Sequence, residues 1–450
     1  MQNDGNKILI GSIQRLLRRG AISHLLKIMN KTHAADLSVA FRSLPLASQH
    51  KLFQLIEDPE KKGALLTKME EDAFMDFVEE LNIDEMAEIF EHMPTDDVAD
   101  LIGPLPEDTT HSILEKMKRE GSDEVEGLLQ YPDDTAGGIM VPDFIALPED
   151  VTAAEAIGSI QKEHLHVEMP FYLYAVDAYE KLVGVSSLRQ LVVVPPETPL
   201  RDFMRTDVVS VKTDTDQEEV ARIVARYDIL AVPVVDETNR LVGIVTVDDV
   251  IDIIREEAAE DMLKMAGVGG EFIEGKSVAK SARIRLPWLF ASCIGGIVAF
   301  FVISRFESSL SRFSYLAAFI PVIMGMGGNV GTQSATIVVR GLATGRFQVM
   351  DFWPVVSREF AIGFILGAFY GGLIGVVAQM RYSIAGLALS VGLSVVCSMT
   401  VATLVGSMAP LLFARANIDP AVATGPFVTT AIDIISVFFY FEIAATLLGI

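Results

Sequence analysis

The chain has 450 residues, with 36 Lys and Arg against 60 Asp and Glu, a net charge of −24, and 50% hydrophobic residues. That length has room for two or three domains, and so acidic a balance argues against nucleic acid as a partner and favours cations. Two cysteines, Cys293 and Cys397, both lie in apolar stretches, so the soluble part has no disulfide framework or thiolate metal site and suits a reducing compartment. The acids are unevenly placed. Only Glu307, Asp351, Glu359, Asp419, Asp433 and Glu442 lie beyond residue 275, so an acidic soluble half joins a nearly uncharged apolar half. The opening stretch MQNDGNKILIGSIQRLLRRG has no long apolar core after its charges, and no cleaved signal peptide is expected.

Residues 8–130 read as successive short amphipathic helices, with apolar residues three and four apart, as in Met86, Ile89, Phe90 and Met93. Breaks fall at Pro45, Pro59, Pro94 and Pro104 to Pro106. An all-α domain is expected. YPDDTAGGIM then forms a turn-rich linker, after which the sequence repeats: MVPDFIALPEDVTAAEAI from Met140 aligns with MRTDVVSVKTDTDQEEVA from Met204. FYLYAVDAYEKLVGVSSL from Phe171 parallels LAVPVVDETNRLVGIVTV from Leu230. Each unit predicts a strand, a helix, two strands around an Asp-containing turn, and a closing helix. Such a unit needs its copy beside it to bury a shared sheet face. The two units, 138–200 and 201–246, look like a tandem pair of CBS domains, an α/β arrangement, with RLVGIVTVDDV as the most specific phrase.

Residues 247–280 predict a connecting helix whose Asp249, Asp252, Glu256, Glu257, Glu260 and Asp261 fall mostly on one side. Five apolar segments follow, near 287–304, 314–340, 356–379, 384–412 and 422–448, each long enough to cross about 30 Å of hydrocarbon. Lys276, Lys280, Arg283, Arg285, Arg340, Arg346 and Arg415 would lie on the cytoplasmic side and Arg305, Arg312 and Arg381 outside. The acidic half is then cytosolic and the C-terminus external.

The stretch 318–336, AFIPVIMGMGGNVGTQSAT, starts as a membrane segment and then mixes glycines with Asn329, Thr332, Gln333, Ser334 and Thr336. Close helix packing explains the glycines alone. With the polar residues, the stretch reads as weak helix lining a wet pore. Asp433 sits inside the fifth apolar segment between Ile432 and Ile434, with no Lys or Arg in that segment to pair with it. A carboxylate at such depth costs about 2.5–3.5 kcal/mol and faces a wet path or a partner. All seven histidines lie before residue 167, and the pair His164 and His166 reads as ordinary surface or core histidine rather than a metal site. The pore candidates therefore offer oxygen ligands only, which suit Mg²⁺, Ca²⁺ or Mn²⁺.

Taken together, the acidic repeat module, PVIMGMGGNVGTQSAT and the Asp433 segment make the chain from about residue 8 to 450 similar to the MgtE family of bacterial magnesium channels or transporters. The resemblance implies a multidomain chain. A helical N domain (8–130) precedes the CBS pair, a connecting plug helix (247–280) and a five-helix transmembrane domain (284–450) in the bacterial inner membrane. It implies a homodimer with the pore on its twofold axis, closed when cytosolic Mg²⁺ binds between acidic domains. Carried over by position, Asp433 is the pore carboxylate, with Gly328 and Gly425 beside the ion path. Asp96 and Asp100 are the N-domain sensor acids, with Gly138, Ala225, Asp228 and Asp249 facing them. Glu257, Glu260, Asp261 and Asp419 tie the plug to the pore. Ala64 stands where some members have a sensor Glu. Ser187, Leu188, Arg189 and Gln190 lack the carboxylate that closes a nucleotide site, so ATP at the pair is an open question. Thr332 and Gly425 stand where some members place Asn. Co²⁺ or Mn²⁺ transport by the same architecture, or a non-conducting membrane-anchored sensor, are the competing readings. No nucleophile–base pair or phosphate-cradling loop suggests an enzyme.

Overall fold

The computed structural model describes residues 2–69, 71–78, 81–163, 171–268 and 278–449. His164, His166 and Lys276 lie outside these. The chain divides into two compact units, 1–253 and 254–450.

The first unit opens with helices α1 (Gln2–Arg19) to α10 (Arg119–Leu128), most of them eight to ten residues long. Proline sets several of their starts. Pro45, Pro94 and Pro106 occupy the N-cap of α4 (Leu46–Phe53), α8 (Thr95–Ile102) and α9 (Glu107–Leu114), and Pro59 opens α5 (Pro59–Leu66). Its locked φ suits the first turn, where no N–H is needed. The apolar stripes meet in an aromatic core. Phe77 lies 5.7 Å from Phe41 and 5.1 Å from Phe53, with the His50 ring stacked on it at 4.1 Å. That core runs on without a break into Val220, Val224 and Val232 of the second repeat and Val250 of the helix that follows it.

The repeat folds as expected into two three-stranded sheets. One contains β1 (Ala146–Pro148), β2 (Tyr172–Val176) and β3 (Leu182–Ser187), with α11 (Ala153–Glu163) and α12 (Leu188–Val193). The other contains β4 (Val211–Lys212), β5 (Ala231–Val235) and β6 (Leu241–Thr246), with α13 (Gln217–Tyr227) and α14 (Val247–Met265). In each, the first pair is parallel and the second antiparallel. The lead-in of each repeat pairs with the other repeat's sheet: Val141 with Ile244, and Arg205 with Val185. Two glycines permit this exchange. A Cβ on Gly243 would lie 2.6 Å from Met140 Sδ, and one on Gly184 would lie 2.3 Å from Met204 Sδ. The aligned methionines are thus packing partners of the aligned glycines.

The second unit contains α15 (Val278–Ser304), the short α16 (Glu307–Arg312), α17 (Ile320–Ala343), α18 (Phe352–Tyr382), α19 (Ala385–Arg415) and α20 (Pro426–Leu448). Five stretches are long and apolar enough to cross a membrane: 281–304, 314–343, 352–382, 385–415 and 420–448. Each of the five expected segments falls on one of them. α19 is the central helix, packed by α17, α18 and α20. Against α18 the approach is backbone to backbone. A Cβ on Gly371 would stand 2.5 Å from Gly392 O, and one on Gly367 2.9 Å from Val396 Cα. Without a hydrophobic drive in lipid, such contact supplies the packing energy.

Candidate functional site

α17 is a continuous helix through MGMGGNVGTQSAT, where the glycines had suggested weak helix. Its glycines divide into two roles. Gly327 and Gly331 are packing positions: a Cβ on Gly327 would meet Ser398 Oγ at 2.6 Å, and one on Gly331 would meet Ile432 Cδ1 at 2.1 Å. From the other side, a Cβ on Gly406 would lie 2.3 Å from Gly331 O. Gly328 differs, because a Cβ there would make only ordinary contact, 3.7 Å from Thr429 Cγ2 and 3.8 Å from Asp433 Oδ1, which places this position beside the carboxylate. Asn329, Thr332 and Gln333 point out of the single chain as a polar row, while Ser334 is buried.

Asp433 is half-buried, about two turns into α20. Thr429, one turn earlier, donates its hydroxyl to Gly425 O at 3.2 Å. Among the described residues Asp433 has no hydrogen-bonding side chain and no ion pair. A second membrane acid was missed at sequence level. Glu359 on α18 is 5% exposed and accepts a hydrogen bond from Ser334 at 2.7 Å. Like Asp433, it is an acid inside an apolar segment.

In the first unit the charge of Asp249 also acts on Asp97, the residue between the two expected sensor acids Asp96 and Asp100 on α8. Burial, then the charge of Asp249, pushes the Asp97 carboxyl up to about 6, with Lys68 opposing and Asp248 adding to the rise. Burial also raises Asp249, against a hydrogen bond from Thr246. Asp96 is buried, and Asp100 joins Asp97 in lining a cavity of about 170 Å³ with Thr67, Phe74 and Pro104. Lys68 also reaches Asp252 at 3.5 Å, linking the helical domain to α14. Gly138 is buried in a turn where a Cβ would lie 2.4 Å from Pro132 O, so backbone approach explains that glycine. Ala225 and Asp228 are exposed at the end of α13, with Asp228 left-handed at φ 51°. Ala64 is half-buried on α5. In place of the missing carboxylate, Gln190 closes a capping box with Ser187 at the start of α12. Among the described residues no three His, Cys, Asp or Glu side chains converge as a metal site.

At the far end of α14, Glu260 and Asp419 meet on one lysine. Lys264 Nζ lies 2.7 Å from Glu260 Oε1 and 2.6 Å from Asp419 Oδ2. Burial disfavours that charged amine, but the hydrogen bonds to Asp419 and Glu260 outweigh it and raise its pKa. Glu257 and Asp261 lie on the same helix, in no cluster of three ligands among the described residues. Next to it, left-handed Gly267 abuts the start of α20, a Cβ there falling 2.9 Å from Pro426 Cδ. Neither Lys264 nor Gly267 was singled out from the sequence, although a lysine within an acidic face was signal enough.

Five helices long and apolar enough to span a membrane, one of them carrying a half-buried carboxylate beside Gly328, follow an acidic helical domain and a paired α/β repeat, the layout of a multi-pass cation transporter with an N-terminal regulatory half. Residues 320–443 match the family model MgtE, "Divalent cation transporter", residues 32–134 the "MgtE intracellular N domain", and residues 200–256 the "CBS domain". The chain is 41% identical over 330 residues to "Magnesium transporter MgtE" of Thermus thermophilus and 40% identical over 326 residues to that of Enterococcus faecalis, covering 72% of each chain in both cases. The chain belongs to the MgtE family, so it is a transporter and not an enzyme. Among solved structures it is similar to the "soluble part of a magnesium transporter", with 31% identity, TM-score 0.50, 56% of this chain and 100% of that one. It is also similar to the "cytosolic domain of the Mg2+ channel MgtE in complex with ATP", with 34% identity, TM-score 0.51, 54% of this chain and 99% of that one.

Proposed function

We propose that the chain is a Mg²⁺-selective channel for magnesium uptake, working as a homodimer and closed by cytosolic Mg²⁺. The observation that carries this reading is Asp433, a membrane carboxylate with no basic partner among the described residues, set beside Gly328 of α17. Such a charge is stable only where a cation or water reaches it. Mg²⁺ holds its water shell tightly, so a single carboxylate with surrounding carbonyls and hydroxyls suits passage of the hydrated ion. The polar row of Asn329, Thr332 and Gln333 supports a dimer, because lipid satisfies none of these groups and a facing copy with water between does. Inward movement of two charges is favoured by roughly 4.6 kcal/mol per 100 mV, so no ATP is required.

For closure, the crowding of Asp97 and Asp249 supplies the drive. Two partly buried carboxylates disfavour their own contact, and a divalent ion between acidic surfaces removes that penalty. Mg²⁺ thus shifts the population towards a compact state by binding it better. Asp96, Asp100, Gly138, Ala225 and Asp228 in the first unit, with Asp249, and Glu257, Glu260, Asp261 and Asp419 at the plug, are the proposed ligands and their neighbours. Reconstitution tests the reading. Mg²⁺ flux into liposomes should fall at least about tenfold in Asp433→Ala, the cost of one uncompensated charge contact. Unchanged flux would favour the non-conducting sensor, and Co²⁺ or Mn²⁺ outcompeting Mg²⁺ would reassign the cargo.

A further inference from the structure

We propose that Lys264 is a resident cation of the plug, holding α14 on the pore mouth when no divalent ion is bound. The inference rests on the gating reading above but concerns a group outside its metal ligands. An ammonium has three donors and no acceptor. Lys264 spends two of them on carboxylates from different segments: Glu260 on its own helix, and Asp419 in the loop ahead of α20. Its side chain is 23% exposed, so the bridge is largely sheltered from solvent.

The Asp419 end is firmly anchored, since its other oxygen accepts the Ala421 N–H at 2.8 Å. Three residues past Lys264, the backbone N and Cα of Gly267 lie 3.5 Å from where a Cβ on Gly425 would stand. Gly425 is the N-cap of α20, the helix that carries Asp433 about two turns on. Movement of α14 away from this loop therefore breaks the Lys264–Asp419 bond. The lysine also occupies two of the oxygens a regulatory divalent ion would use. Such an ion must displace the amine or share its carboxylates, so the lysine lowers the divalent affinity of the plug while supplying closure of its own.

Channel recordings of the full-length protein, with the cytosolic face stepped from chelator to saturating Mg²⁺, separate these effects. Lys264→Met should raise open probability in chelator by about two- to fivefold, the worth of one partly exposed ion pair. It should also lower the Mg²⁺ concentration for half-closure, because two carboxylates are released. Lys264→Arg should restore both values. Asp419→Asn should match the chelator effect and add nothing to Lys264→Met. Open probability unchanged in chelator, or additive effects of the two substitutions, overturns the inference; Lys264→Gln decides it if the Met variant fails to assemble. If Mg²⁺ leaves the unmodified channel open, the gating reading falls, while the chelator comparison still judges Lys264.

Discussion

Replacing Gly406 by alanine tests whether the α17–α19 contact holds the site together. The new Cβ would lie 2.3 Å from Gly331 O, 3.0 Å from its carbonyl carbon and 3.2 Å from its Cα. All three are backbone atoms, so no rotamer change relieves the overlap and the helices must separate by about an ångström to reach ordinary contact. Overpacking of this kind costs about 1–3 kcal/mol, against about 1 kcal/mol gained by exchanging glycine for alanine within a helix. Gly325 on α17 is the control, because nothing lies within 4 Å of its Cβ position. Taking Gly325→Ala as reference cancels the helix contribution, leaving Gly406→Ala less stable by about 1–3 kcal/mol. At roughly 2–4 °C per kcal/mol this is a visible drop in the thermal midpoint of the detergent-solubilised protein. Mg²⁺ flux should fall with it, since α17 carries Gly328 past Asp433. Equal midpoints for the two variants would refute the packing role assigned to Gly331 and Gly406.

Asp433→Asn keeps the shape and removes the charge; flux should fall by at least about tenfold, as for alanine, whereas retained flux in liposomes would mean the amide dipole suffices. Glu359→Ala strands the buried Ser334 hydroxyl and should cost about 1–3 kcal/mol in thermal stability, while Glu359→Gln, which keeps an acceptor, should cost less. Asp97 sets a pH dependence. Its carboxyl titrates near 6 in the folded unit and near 3.9 unfolded, so the folded state binds the proton more tightly. The stabilisation is full below about pH 4 and is lost as pH rises through 6. Limited proteolysis of the full chain without divalent ions should therefore run faster at pH 7.5 than at pH 5, and Asp97→Asn should flatten that difference. Because Mg²⁺ is proposed to act on the same repulsion, Asp97→Asn combined with Asp249→Asn should weaken Mg²⁺-driven closure in channel recordings.

Local patterns carried much of the architecture. Five spans, helices beginning at Pro45, Pro59, Pro94 and Pro106, and two βαββα units were legible because each is written in adjacent residues and their periodicity. An acid inside an apolar run is equally local, which is why Asp433 stood out; Glu359 carried the same mark. The partner of each face lay beyond that reach. Asp97 carries no mark along the chain that sets it apart from Asp96 and Asp100, and only the fold brings the charge of Asp249 to bear on it. The glycines of α17 share one composition, yet helix rotation gives Gly327 and Gly331 to packing and Gly328 to the carboxylate. The residues by themselves determined the membrane spans, the repeat and the presence of a deep negative charge. Tertiary structure decided which group each of them meets, because side-chain contacts between distant segments depend on helix rotation and crossing, which no run of neighbouring residues encodes.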